Sequence, residues 1–311
     1  MRNSSGKSAL PTGPLGLLVV FLAVACARDT DAEDGLELSG DEAAAATIAF
    51  GVASDPADSL IFAEKIAWAR AQRLDTLELG DAIVALGRSF VGTRYTPGTL
   101  ELPGSERLVV NLRALDCVTF VENVLAIVRT LRASKPDYAN FQRELLHIRY
   151  RGGVLSGYPS RLHYFSEWIA DNEVKGVVRD VTVSLGGRQD PDSITFMSRH
   201  REAYRQLADT AMFAEVARIE TTLSGRQRYF IPENEIEAVA PRIRDGDVIA
   251  ATSTVKGLDV AHTGFAIRLH GRLHLMHAPL VGSAVEISER PLSDRIRGIA
   301  TQDGIMVARP L

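Results

Sequence analysis

The segment at residues 116–131 (DCVTFVENVLAIVRTL) constrains this chain more than any other. Phe120, Val121, Val124, Leu125, Ile127, Val128 and Leu131 fall around most of a helical circumference, and a helix apolar nearly all round must be covered by other elements. Asp116 is a good N-cap, so the spacing predicts a helix that begins at Cys117. Candidate covering layers lie on both sides of it. Residues 57–73 and 77–90 carry apolar residues at helical spacing, the first with Asp58-Ser59 as a plausible cap. Gly92-Thr93-Arg94-Tyr95-Thr96-Pro97-Gly98 breaks the second helix, and 108–112 (LVVNL) is strand-like. Residues 137–225 predict helices with loops, chiefly 138–149 and 198–217. After Gln227 the period changes, and strands are predicted at 228–231, 247–252, 263–269, 273–278, 284–288 and 305–308. His270-Gly271-Arg272 between two of these reads as a hairpin turn. Helices first and an antiparallel sheet after predict an α+β fold.

Composition narrows the class. The chain is 46% apolar and 24% charged, within globular values. Lys and Arg number 35 against 39 acids with no basic block, so a nucleic-acid partner is not expected. Arg2 and Lys7 precede an apolar run at 15–25 that is too short for a membrane span and has the layout of a signal peptide over residues 1–25. Its end, Leu22-Ala23-Val24-Ala25-Cys26, resembles a bacterial lipobox, which implies lipidation of Cys26. An ordinary cleaved signal with a coincidental cysteine is the alternative. Residues 26–50 are acidic and small and read as a flexible tether, with a solvated first helix from Asp41 also open. The chain has two cysteines, Cys26 and Cys117. If Cys26 carries lipid, Cys117 has no disulfide partner, and a free thiol in an oxidising compartment is a liability unless it is used.

A use is available. Unpaired N–H groups and the dipole at a helix N-terminus favour thiolate over thiol, so Cys117 is expected to have a lowered pKa. A cysteine nucleophile also needs a histidine to move its proton and a third group to orient that histidine. His262 opens one predicted strand (AHTGFAI) and His277 ends the next (LHLMHAP). Reflected through a turn near residue 270, His262 falls opposite about 278–280, close to His277. His270, His274 and His277 do not converge on one point from a hairpin, so no metal is expected.

Four segments then carry a resemblance. Leu115-Asp116-Cys117-Val118-Thr119-Phe120-Val121 resembles the Asp-Cys-Ser-Gly-Phe-Val signature of NlpC-type papain-like cell-wall cysteine peptidases and amidases. Arg244-Asp245-Gly246-Asp247, Ala261-His262-Thr263-Gly264-Phe265 and Gly92-Thr93-Arg94-Tyr95 resemble three more of that family's segments, in its order. Val118-Thr119 replaces Ser-Gly. That departure, the long interval from Cys117 to His262, and the stretches 99–101, 161–168 and 277–279 look like the N-acetylmuramoyl-L-alanine amidase-like branch. The resemblance implies a papain-like α+β domain over residues 51–311, with the nucleophile helix packed on an antiparallel sheet and a helical insertion at about 137–225. It implies Cys117 as nucleophile, His262 as base, His277 as third member, and no cofactor. Tyr95, Glu101, Arg161, Tyr164 and Trp168 are the candidate substrate contacts, although Arg161, His163, Tyr164 and Trp168 also read as a structural helix start. The implied partner is peptidoglycan or a muropeptide, cut at the muramoyl–L-alanine amide. The alternatives are a γ-D-glutamyl-diamino acid endopeptidase and a non-catalytic lipoprotein that binds wall fragments. The implied address is a lipid-anchored exported protein, at the outer membrane facing the periplasm in a diderm cell.

Overall fold

A computed structural model describes residues 51–280 and 283–311. The expected signal peptide, Cys26 and the tether lie outside the described residues. The helices that bear on the site are α1 Pro56–Ala71, α2 Leu79–Arg88, α3 Cys117–Leu131, α4 Tyr138–Arg149, α5 Phe165–Val174, α6 Thr210–Ser224 and α7 Leu292–Arg297. The strands are β1 Val178–Asp180, β2 Arg188–Asp190, β3 Arg228–Pro232, β4 Val248–Ser253, β5 Val260–Leu269, β6 Arg272–His277, β7 Glu286–Ile287 and β8 Gln302–Pro310. They form one sheet in the order β7-β6-β5-β4-β8-β3-β2, with β1 beside the end of β8. Every pairing between these strands is antiparallel.

The central helix forms because its ends and its interior are both satisfied. Asp116 accepts from the Thr119 N–H at 2.7 Å while the Thr119 hydroxyl accepts from the Asp116 N–H at 2.9 Å, a reciprocal cap that fixes the first turn. Thr119 closes that cap. Val121, Val124, Leu125 and Val128 are buried, as are Glu122 and Asn123. Glu122 is tolerated because Arg149 of α4 donates to it at 2.7 Å and donates again to the Val109 carbonyl at 2.5 Å.

Period-two alternation makes the sheet the divider between two cores. Val248 and Ala250, Phe265 and Ile267, Met276, and Met306 and Ala308 face the large core that holds α3. Ile249 and Ala251, Ala266, Leu273 and Leu275, and Ile305 and Val307 face a second core closed by Leu292 and Ile296 of α7. The β5–β6 hairpin turns where predicted. His270 and Gly271 have φ of 49° and 79°, the positive pair that a two-residue turn of this hand requires.

Three expectations need correction. The first helix is capped by Asp55, with Asp58 in its first turn, and buried Asp58 also accepts from the Leu112 N–H at 2.9 Å. The strand at 108–112 is only Leu108–Val109, paired in parallel with Val52–Ala53. The helix expected at 198–217 is α6, which starts at Thr210 because Asp209 caps it, accepting from Ala211 and Met212. Within residues 137–225, Phe141, Leu145 and Ile148 of α4 belong to the large core. A smaller core of Tyr158, Tyr164, Ile194, Met197, Leu207 and Val216 begins only beyond it.

Candidate active site

Cys117 is the first residue of α3 and is partly exposed. Its sulfur lies where three backbone N–H groups converge, those of Cys117, Val118 and Thr263. The first two are the orphan donors of a helix start. The third comes from β5 and fixes the distance between α3 and the strand that carries His262. The helix start was expected to lower the thiol pKa. Burial outweighs it: desolvation first, then the neighbouring Asp116 carboxylate, push the thiol up to about 12 against the pull of the three N–H groups.

The two histidines meet across the hairpin. The register pairs Met276 with Phe265, which brings His277 beside Gly264, two residues from His262 on the same strand. The rings stand edge to face with planes at 88°, and His262 Nε2 lies 2.7 Å from His277 Nδ1. Gly264 is required at this crossing, because a Cβ there would sit 2.5 Å from the Met276 carbonyl and 2.9 Å from the His277 Cβ. Both imidazoles have pKa values well below the ordinary one, chiefly through burial, with the Arg295 guanidinium adding to the effect. His277 Nε2 has no hydrogen-bond partner among the described residues, and Glu286 Oε1 is 3.8 Å away.

Tyr95 arrives from the third side. Arg94–Tyr95 pairs in parallel with Ala114–Leu115, placing Tyr95 level with Leu115, two residues before the cysteine. On its other edge the Tyr95 N–H donates to the Ser283 carbonyl at 2.9 Å. Burial raises the phenol's pKa, and the Cys117 and Asp116 side chains raise it further. Cys117, His262, His277 and Tyr95 are thus brought together.

The expected substrate wall is not. Arg161 is 4% exposed, and its guanidinium reaches Glu101 at 2.5 Å, the Leu100 carbonyl at 3.1 Å and Glu106 at 3.5 Å. Burial alone would depress its pKa, but Glu101 and Glu106 hold it above the usual value. Tyr164, 2% exposed, donates to Glu220 at 2.6 Å. Trp168 is 0% exposed and stacks on Phe165 with centroids 4.7 Å apart. A ligand cannot touch these three side chains. Arg161 ties down the 98–101 turn that follows Tyr95, and of the wall residues only Glu101 retains an exposed edge.

Sequence reasoning missed two residues at the site. Glu286 was placed on a strand without a role, and Arg295 fell in a stretch with no motif or spacing to single it out. A further support was also illegible. Helix α5 has no cap from Tyr164, and Asp259, three residues before His262, accepts from the Ser166 N–H at 2.7 Å in its place.

The family model described as N-acetylmuramoyl-L-alanine amidase-like (AmiA-like) matches residues 85–305. An N-acetylmuramoyl-L-alanine amidase structure from Bacteroides uniformis is 37% identical, with a TM-score of 0.72 over 75% of this chain and 98% of that one. A Bacteroides fragilis structure carrying a provisional xylanase label is 38% identical, with a TM-score of 0.69 over 72% and 98% of the two chains. A Legionella pneumophila protein at 22% identity shares the fold, with a TM-score of 0.59 over 81% and 95%. No curated protein sequence matches. The extent of the family match and the identity to the uniformis structure place this chain in the N-acetylmuramoyl-L-alanine amidase-like family.

Proposed function

We propose that this chain is a papain-like cysteine amidase that hydrolyses the amide between the muramoyl lactyl group and L-alanine in peptidoglycan or its fragments. The observation that carries the reading is the convergence of a helix-start thiol, the Thr263 N–H and the bonded pair His262 and His277. A binding module has no need of that set.

The proposed mechanism places the protons as follows. Glu286 lies on the Nε2 side of His277, so that nitrogen carries the hydrogen and Nδ1 accepts. His262 then donates from Nε2 to His277, which leaves its Nδ1 lone pair for the thiol. As Cys117 attacks the lactyl carbonyl, its proton passes to His262. The backbone N–H of Cys117 stabilises the oxyanion, and His262 returns the proton to the leaving alanine nitrogen. Water, deprotonated by the same imidazole, releases the acyl-enzyme as the lactyl acid and regenerates the thiol. Tyr95 stands beside the sulfur, and Glu101 offers an acceptor at the rim. No cofactor enters these steps.

The test is mass spectrometry of products from defined muropeptides with wild type and Cys117→Ser. A lactyl acid and a peptide with a free alanine amine, both absent with the variant, support the reading. Cleavage between D-glutamate and the diamino acid replaces it with the endopeptidase reading. Tight binding without turnover leaves a wall-fragment binder.

The chain's beginning supports an address. We place the mature protein, lipid-modified at Cys26 and carried on an acidic tether, at the outer membrane facing the periplasm when the host is diderm. Cys26→Ala should then release soluble protein or trap the uncleaved form. Wild type recovered wholly soluble, without an acyl mass, would end this assignment.

A further inference from the structure

Among the described residues the fully buried guanidiniums are matched by carboxylates: Arg149 by Glu122, Arg161 by Glu101 and Glu106, Arg228 by Asp190. Partly buried Arg295 is not. Among the described residues its Nη1 is buried without a hydrogen-bond partner and its guanidinium forms no salt bridge. A guanidinium whose buried nitrogen lacks a partner is costly to a fold, and such groups persist where a ligand supplies the missing anion. The position of Arg295 follows from the packing. Leu292 and Ile296 anchor α7 in the same core as Leu273 and Leu275 of β6. Alternation along β6 turns His277 toward that same face, and Arg295 precedes Ile296 on the covering stripe. The Cys117 thiol, Glu286 and both histidines all lie within its electrostatic reach. Glu286 is half exposed, lies beside His277 at 3.8 Å, and leaves the guanidinium unsatisfied.

We propose that Arg295 is a carboxylate-binding residue of the active site, taking a carboxylate that the substrate peptide carries close to the scissile amide. This rests on the amidase reading above. In a wall peptide the group that meets the description is the α-carboxylate of the glutamate joined to L-alanine. A planar guanidinium with free donors suits a carboxylate better than any neutral group. Docking would also complete the charge balance of the site. With Arg295 unmatched, the cation opposes a second positive charge on His262. A substrate carboxylate on the guanidinium removes that opposition as the thiol proton is transferred. Of the other titratable groups at the site, His277 contacts His262 directly with Glu286 beyond it, and the thiol bonded to the adjacent Thr263 N–H has Asp116 and Tyr95 as its own neighbours.

The experiment uses the leaving peptide itself. Calorimetric binding of L-alanyl-γ-D-glutamate and of its α-amide is measured on wild type, Arg295→Lys and Arg295→Gln, with melting temperatures alongside. We expect wild type to prefer the acid by at least about tenfold, a charge-assisted hydrogen bond's worth. Lys should keep part of the preference and Gln should erase it. The acid limb of the kcat/KM profile should also move to higher pH in Arg295→Gln, because removing the cation lets His262 take a proton more readily. Equal binding of acid and amide by wild type, or an undiminished preference in Arg295→Gln, overturns the proposal. If Gln unfolds the protein, the wild-type ratio and the Lys variant still decide it. The binding ratio needs no turnover, so a failed amidase assay with an intact ratio counts against the amidase reading and not against Arg295.

Discussion

His262 Nε2 and His277 Nδ1 lie 2.7 Å apart, one imidazole set edge-on to the other at the end of a single hairpin. On the proposed mechanism the two rings have different work: His262, nearer the thiol through its neighbour Thr263, is the one to exchange the proton, and His277 the one to hold the tautomer. His262→Ala should therefore lower kcat/KM by about 10²–10⁴-fold, the usual worth of a general base. His277→Ala should lose less, and Asn less than Ala, since its carbonyl still accepts from the imidazole. Kinetics on one muropeptide, with melting temperatures, check the order. A silent His277→Ala beside an inactive His274→Ala would misplace the third member.

The thiol's burial sets its reactivity in the free enzyme. With the Cys117 pKa pushed up to about 12, alkylation by iodoacetamide should keep rising through pH 9 and beyond, without levelling near the free cysteine's ~8.5. Following the modification rate by mass across pH checks this. A plateau already reached at pH 7 would mean a resting thiolate.

Acid should unfold the protein through its histidines. Both have folded pKa values below the unfolded ~6.5, so the unfolded chain binds protons that the native site refuses. Their contribution is whole above about pH 6.5 and is lost as pH falls toward the folded values, at up to ~1.4 kcal/mol per pH unit for each. Urea melts at pH 7 and pH 5 measure it, and His262→Asn with His277→Asn should flatten the difference.

Asp259 caps α5 from 93 residues away in sequence and adjoins the start of the histidine strand. Asp259→Ala should cost ~1 kcal/mol, as lost caps do, and reduce kcat through a loosened His262. Asn, which can still accept from the Ser166 N–H, should restore both. Calorimetry and turnover on the same preparations test the linkage. Loss of stability with kcat untouched would separate the cap from the site.

How much of this was legible in the sequence depended on distance along the chain. Helix α3 from Cys117, its Asp116 cap, helix α4, and the β5–β6 hairpin with its two histidines near one another all rest on local signals: periodicity, a capping residue and a two-residue turn. Such signals act within a few residues, so a sequence records them directly. The stretches 99–101, 161–168 and 277–279 pointed to the N-acetylmuramoyl-L-alanine amidase-like family, which the match over residues 85–305 shows. Arg295 and Glu286 reach the histidines only because α7 and β7 fold back on β6, and no spacing encodes that return. The burial of Arg161, Tyr164 and Trp168 was likewise decided by packing, since a dense polar and aromatic stretch looks the same whether it lines a cleft or supports one. The thiol shows the limit most plainly. A helix start alone favours thiolate, and the surroundings assembled around Cys117 by tertiary structure reverse that preference through desolvation.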